Sequence, residues 1–267
     1  VTARSEAFLA LHHGDGPLLM PNAWDLGSAR ILAHLGFTAL GTTSSGFAAT
    51  LGRLDGGVTR QEVLDHCAAM SAATDLPVNG DLEDGFGQTP TEVAETMGLC
   101  VQAGLAGASV EDFTRDRAHP IYDLEQAAER VAAAVEGAAA AGGLVVVARA
   151  ENLIKGIDDL PDTIRRLQRY QEAGADVLFA PGLATAEDIR AVVSSIDRPL
   201  NVLVRATSPP IAELAELGVA RISVGGSLAW IALDAMATAA RELKEDGTFT
   251  AFARVTDGVA LARAALP

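Results

Sequence analysis

Eight short aliphatic runs, the amphipathic segments between them, and glycines where those segments stop predict an α/β chain closed into a single (β/α)8 barrel. The runs are Pro17 to Met20, Thr38 to Thr42, Pro77 to Asp81, Gly107 to Glu111, Leu144 to Arg149, Asp176 to Ala180, Leu200 to Arg205 and Arg221 to Gly225. Each is almost continuously apolar, as expected of strands buried on both faces of a parallel sheet.

Helical patterns fill the intervals: Leu26 to Leu35, Arg60 to Thr74, Thr91 to Ala103, Leu124 to Ala141, Asp159 to Ala173, Ala186 to Ser195, Ile211 to Leu217 and Leu228 to Lys244. Asp25 can cap the first, and Thr59 with Glu62 reads as a capping box for the second. Gly36, Gly104, Gly142, Gly174 and Gly218 follow helical segments. A glycine there takes φ > 0 and turns the chain back toward the sheet. An open doubly wound sheet is the rival fold. Its GxGxxG signature after the first strand is missing, and Pro21-Asn22-Ala23-Trp24 stands in that place.

The length of 267 residues suits one barrel, and no linker divides residues 1–267. A further helical segment, Phe249 to Ala265, exceeds the one closing helix a barrel needs, so it is expected to pack on a neighbouring subunit. Hydrophobic residues make up 49% and aromatics 4%, so alanine and valine fill much of the core. The net charge of -15 repels phosphate backbones and argues against a nucleic-acid partner. It leaves room for an anionic substrate, because a metal or a few arginines can invert the local field. Cys67 and Cys100 lack CxxC spacing and read as small buried hydrophobes. No basic stretch leads into an apolar h-region and no long uncharged apolar segment occurs, so a cytoplasmic protein without a membrane partner is expected.

In such a barrel the strand C-termini and the loops after them carry the chemistry. Polar residues collect there: Thr43, Ser44, Ser45 and Gly46; Asp81, Glu83 and Asp84; Glu111 and Asp112; Arg149, Glu151 and Asn152; Asn201 and Arg205; Gly225, Gly226 and Ser227. The segment from Asn79 to Gly87 is the sharpest feature. Its acids cannot all enter a dry core, and carboxylates with retained water suit Mg2+ or Mn2+. A solvated acidic turn is the plainer alternative. Arg149 ends a very apolar run and needs a carboxylate partner from the protein or a substrate. Ser45 and Gly46 can offer backbone N–H groups to an anion. His119, in the polar loop after Glu111, is a candidate proton carrier on a lid, against the alternative of a solvated histidine.

Thr43-Ser44-Ser45-Gly46-Phe47, Asp81 to Gly87, Val110-Glu111-Asp112 and Ala148-Arg149, in that order, resemble the signatures of the isocitrate lyase / phosphoenolpyruvate mutase superfamily, over Phe8 to Ala240. The resemblance implies Mg2+ (or Mn2+) bound with a pyruvate-like carboxylate, and C–C or P–C chemistry beside an enolate. It implies Asp81 as the main metal ligand, Glu83 as a second acid and Glu111 as the acid holding metal water. It implies Arg149, catalytic, on the substrate carboxylate. It assigns the carboxylate-cradling turn to Ser45 and Gly46 beside Phe47, and a loop acid to Asp55. With Asn201 and Arg205 at the seventh strand, these form the expected substrate site. It also implies a homotetramer or dimer exchanging C-terminal helices. The family lyases carry K-[KR]-C-G-H after the fourth strand, whereas this chain reads Glu111 to Pro120 without lysine or cysteine. A proton for C3 would then come from water, His119 or Tyr122. The resulting expectation is a Mg2+-dependent C–C lyase or decarboxylase on a small 2-oxo or 2-hydroxy acid. Phosphoenolpyruvate mutase or phosphonopyruvate hydrolase chemistry is the alternative within the family. A non-catalytic carboxylate-binding barrel is the alternative outside it.

Overall fold

The structure is a computed structural model and describes residues 2–267. Nine strands run parallel in one sheet: β1 (Leu18–Met20), β2 (Asn22–Ala23), β3 (Leu40–Thr42), β4 (Val78–Asp81), β5 (Gly107–Glu111), β6 (Val145–Arg149), β7 (Val177–Phe179), β8 (Leu200–Leu203) and β9 (Arg221–Ser223). Their order is β1-β9-β8-β7-β6-β5-β4-β3-β2. β1 and β2 are two halves of one barrel position, separated by Pro21, which lacks an N–H for the ladder. β1 pairs with β9 and β2 with β3, so the sheet curls into a nearly closed barrel. Asn22 stitches this seam: its Nδ2 donates to Thr42 O at 2.7 Å. Its Oδ1 accepts from the N–H groups of Val224 and Gly225 at 3.0 and 2.9 Å.

The sequence-based strands hold, with trimmed ends. The first run continues past Pro21, and the seventh stops at Leu203 instead of Arg205. The helices are α1 (Ala3–Ala10), α2 (Leu26–His34), α3 (Ser44–Thr50), α4 (Arg60–Ala73), α5 (Pro90–Gln102), α6 (Leu124–Ala140), α7 (Leu160–Glu172), α8 (Ala186–Val193), α9 (Ile211–Glu216), α10 (Ser227–Arg241) and α11 (Val255–Ala265). The capping box of Thr59 and Glu62 forms at α4, and Asp25 caps α2. The five glycines after helical segments all have positive φ. Two helices escape the hydrophobic pattern. α3 is a short run of small residues, and α1 buries only Ser5 and Phe8.

α1 matters to the interior. Phe8 reaches the barrel interior beside Gly107, at the start of β5, and joins a core cluster with Leu18, Met20, Val145, Val147, Val177 and Phe179. A larger core, which includes Cys67 and Cys100, lies between the strands and the outer helices. The turn after α1 inserts His12, whose Nδ1 faces Phe8 O at 2.9 Å and whose Nε2 faces Arg221 Nη1 at 3.4 Å. A carbonyl takes a proton and a guanidinium gives one, so these partners fix the neutral tautomer. Burial, then Arg221, pushes the imidazole down to about 3. In the unfolded chain it titrates at its ordinary value, about 6.5. Acidification through that value protonates the unfolded chain first, so the native state loses stability between the two values as pH falls. The stability difference between wild type and His12→Gln should therefore shift by about 2 kcal/mol in favour of the variant from pH 7 to pH 5. Urea unfolding of both proteins at each pH checks this, and parallel curves would refute it.

At the other end of the chain, α11 packs on α2 of the same chain. Among the described residues no helix is long and apolar enough to cross a membrane.

Candidate active site

The strand C-termini present one connected charge cluster. Arg149, at the end of β6, places Nη1 3.1 Å from Asp81 Oδ1 and 2.8 Å from Glu111 Oε1, and Nη2 2.8 Å from Glu151 Oε1. Its guanidinium also lies 4.8 Å from the ring centroid of Phe179. Burial pulls Arg149 down, but Glu111, Glu151 and Asp81 more than reverse this, so its pKa is raised. Burial pushes Glu111 well above the usual carboxylate range, against the pull of Arg149 and with Glu151 and Asp81 adding to the rise. The second oxygen of Asp81 accepts the Ser44 N–H at the start of α3, at 3.0 Å. Asp81 is thus held by a helix N-terminus on one side and a guanidinium on the other.

Each partner is itself positioned. Asp112 accepts from Tyr170 OH at 2.6 Å, from Arg166 Nη1 at 3.1 Å and from the Glu151 N–H at 2.8 Å. That buried node fixes the backbone from which Glu151 projects. The acidic loop after β4 is tied down by Arg130 of α6, whose Nη2 donates to Asp84 O at 2.6 Å and Gly87 O at 2.9 Å. Arg115, from the loop after β5, grips the same turn, donating to Glu83 Oε2 at 2.9 Å and to both Asp84 oxygens at 2.7 and 2.8 Å. Glu83, Phe86 and Arg115 are the non-glycine residues with positive φ among those described. Backbone strain is therefore concentrated in this loop and its strap, as functional sites tend to hold it. Burial pushes Glu83 up to about 7, against the pull of Arg115.

The structure gathers most of the sequence-predicted residues. Ser45, Asp55, Asp81, Glu111, Arg149 and Asn201 all line one cavity of about 200 Å³. Gly46 stands just behind it in α3, where a Cβ would meet Thr43, Trp24 and Ala229 side chains at 2.7, 2.9 and 3.2 Å. Five candidates fall elsewhere. Glu83 is diverted to Arg115. Phe47 stacks on His66 at 3.9 Å, away from the cavity. Arg205 lies beyond the end of β8, exposed, its backbone N–H on Ser208 Oγ at 2.9 Å. His119 has a side chain 86% exposed and faces Asp116, so it is a surface histidine in this conformation. Tyr122 packs under the Arg130 guanidinium rather than in the cavity.

The cavity also contains Glu151 and Asn79, which the sequence places near strand ends without a role, and Lys155, Asn22, Ser109, Arg221 and Ser223, which the sequence does not single out. Lys155, one of only two lysines in the chain, sits 3.6 Å from Glu151 Oε2 and 3.6 Å over the Phe113 ring. The strand residues could have been found by alternation. On β4, β5 and β9 the inward set is Asn79 and Asp81, Ser109 and Glu111, and Arg221 and Ser223, as the period of two requires.

This arrangement can neutralise and orient a small anion at a strand-end rim with surplus carboxylate. The chain shares 46% identity with a solved Burkholderia cenocepacia J2315 protein, at a TM-score of 0.93 over 97% of this chain and 94% of that one. Among relatives of named activity, it is 31% identical to an oxaloacetate decarboxylase of Bradyrhizobium diazoefficiens, covering 74% of this chain and 70% of the relative. It is 29% identical to a 2-methylisocitrate lyase of Halalkalibacterium halodurans, covering 84% and 72% respectively. The family pattern described as phosphoenolpyruvate phosphomutase matches residues 8–244, nearly the whole barrel including every cavity residue named above. The chain therefore belongs to the phosphoenolpyruvate phosphomutase family, within the PEP mutase/isocitrate lyase superfamily of lyases and mutases.

Proposed function

We propose that this chain is a Mg2+- or Mn2+-dependent carbon–carbon lyase, cleaving or forming a bond beside a pyruvate-type enolate in a small 2-oxo or 2-hydroxy carboxylate. The observation that carries the reading is the convergence of Asp81, Glu111 and Glu151 on the single guanidinium of Arg149. With Lys155 also beside Glu151, three carboxylates against two cations still leave negative charge, which a divalent ion would balance.

The residues fit such an ion as an open site rather than a cage. Among the described residues no three His, Cys, Asp or Glu side chains are already arranged around a metal position. Mg2+ keeps several waters and needs only one or two carboxylates together with substrate oxygens. Asp81 would hold it directly and Glu111 through water, while Glu83 would take part only by releasing Arg115. When bound, the ion would supply Lewis-acid stabilisation of the enolate oxygen. Arg149 orients the substrate carboxylate and stabilises developing charge. Ser45, at the start of α3, supports the same carboxylate. Lys155 lines the cavity whereas His119 and Tyr122 do not, and on that ground it replaces them as the candidate acid for C3.

Pyruvate release from oxaloacetate, methylisocitrate, dimethylmalate and phosphonopyruvate, each with and without EDTA, tests the proposal. EDTA-sensitive release from a carbon–carbon substrate is the expected result. Release from phosphonopyruvate alone would move the chemistry to a P–C bond. No turnover and no metal-dependent binding would leave a carboxylate-binding barrel without catalysis.

The proposal includes a cytoplasmic homo-oligomer. Trp230, Ile231, Met236, Phe249 and Phe252 are 46%, 64%, 63%, 62% and 50% exposed on and after α10. A second copy exchanging C-terminal helices would cover them. A monomeric mass by light scattering would refute this part.

A further inference from the structure

The rim acids share one arginine, but the deep end of the same cavity holds an arginine with no acid at all. Arg221 opens β9, is 1% exposed and heads the largest wholly buried side chains of the chain. Its Nε donates to Asn201 Oδ1 at 3.0 Å, and its Nη1 faces His12 Nε2 at 3.4 Å. Both partners are neutral, since the first is an amide and the second is the uncharged imidazole described above. Among the described residues no carboxylate comes within 4.0 Å of it. The one charged group that acts on it strongly is Arg149, which carries the same sign, and burial with that repulsion pushes Arg221 down to about 9.

The other buried arginines are compensated. Arg149 has three acids, Arg166 has Asp112 and Asp162, and Arg130 has backbone carbonyls. A buried charge without a counter-charge is costly, and such groups concentrate where a ligand supplies the missing partner. Arg221 lines the cavity, so a bound molecule can reach it. A second unsatisfied group lies in the same cavity wall: Asn79 Oδ1 is buried with no hydrogen-bond partner. The cavity is thus polarised, with surplus carboxylate at the rim and an unpaired guanidinium below it.

We infer that Arg221 receives a second anionic group of the substrate, so that the cavity selects a small dianionic acid over a monocarboxylate. The inference rests on the metal-centred reading for the first anionic end. The volume of about 200 Å³ suits a molecule of a few carbons and is smaller than the pockets that hold drug-sized ligands. A guanidinium on a carboxylate stabilises its charge and opposes its loss as CO2, so the group at Arg221 is one the substrate keeps through the reaction. Asn201, bonded both to Arg221 and to Ser223 Oγ at 2.9 Å, keeps the guanidinium in place.

Calorimetric titration of the Mn2+-loaded protein with lactate and malate, a pair differing by one carboxylate, tests this directly. Oxalate, which a metal chelates through both its carboxylates, reports on the rim alone. Wild type should bind malate at least about tenfold more tightly than lactate, the low end for a charge-assisted hydrogen bond. Arg221→Met, of similar length and uncharged, should abolish that preference and leave oxalate affinity unchanged. Arg221→Lys should keep part of the preference, and it serves if the methionine variant fails to fold. Equal binding of lactate and malate by wild type, or a preference that survives in Arg221→Met, would overturn the inference. Oxalate binding that ignores EDTA would instead overturn the metal-centred reading. A malate preference in EDTA that vanishes in Arg221→Met would still support the role of Arg221.

Discussion

Asp81→Ala should abolish metal-dependent turnover, by on the order of 10³-fold or more, while the melting temperature stays within a few degrees of wild type. The activity loss follows from removing the carboxylate assigned to the ion, with charge stabilisation at one contact already worth about 10²–10³-fold in other enzymes. The small stability change follows from the cluster itself. Asp81 contacts the Ser44 N–H and one nitrogen of Arg149, whereas Arg149 keeps Glu111 and Glu151 without it. Removing one of three like charges relieves repulsion as well as breaking an ion pair, so the two effects largely cancel. Steady-state rates with a Mg2+ titration, alongside calorimetric melting, check both halves. A melting temperature that collapses together with activity would make Asp81 a structural residue.

Arg149→Met should have the larger effect on stability. Arg149 is the shared cation for Asp81, Glu111 and Glu151, and its side chain is 13% exposed. Taking one member from a buried ion pair typically costs about 3–5 kcal/mol, because the partner charges stay behind. The loss should depend on conditions in a defined direction. Glu111 is already pushed upward by burial. Without the arginine, the carboxylates would hold protons more tightly in the native than in the unfolded state. The deficit should therefore shrink as pH falls from 8 toward 5.5. Saturating Mg2+ should recover part of it at pH 8, by binding the native state. Urea unfolding in EDTA and in Mg2+ at both pH values measures this. A deficit indifferent to both would mean that Arg149 acts by packing on Phe179 rather than by charge.

The barrel was legible because its strands and outer helices follow simple periodicities. Leu144 to Arg149 reads as a buried strand on composition alone, and Gly104 and Gly174 mark turns that need positive φ. α1 and α3 were not legible, since neither has a broad apolar stripe and each is placed by tertiary contacts. The rim acids and Arg149 stood out because charged residues closing apolar runs demand partners. Arg205 and His119 drew notice for the same chemical type, but a loop residue after a strand can face either way, and these face solvent. Arg221 was missed because a charge that begins a strand looks like a boundary. Only the alternation with Ile222 and Ser223, together with the barrel's closure, turns it inward. Lys155 was missed because it comes six residues after Arg149, where spacing says nothing about whether the loop folds back over the cavity.

The split at Pro21 has a consequence for when the cavity comes into being. As the chain is synthesised, β2 to β8 can each settle against a recent neighbour, while β1 must wait for β9. Asp81, Glu111 and Arg149 can assemble in an unfinished half-barrel, but Arg221 and Ser223 join only when the two ends of the chain meet. A molecule held between the Asp81 rim and Arg221 would reach across that last join, from β4 to β9, and act as a clasp. Amide exchange at Leu18–Met20 and Arg221–Ser223 is then where ligand protection should be greatest, far along the chain from the acids of the Asp81 rim.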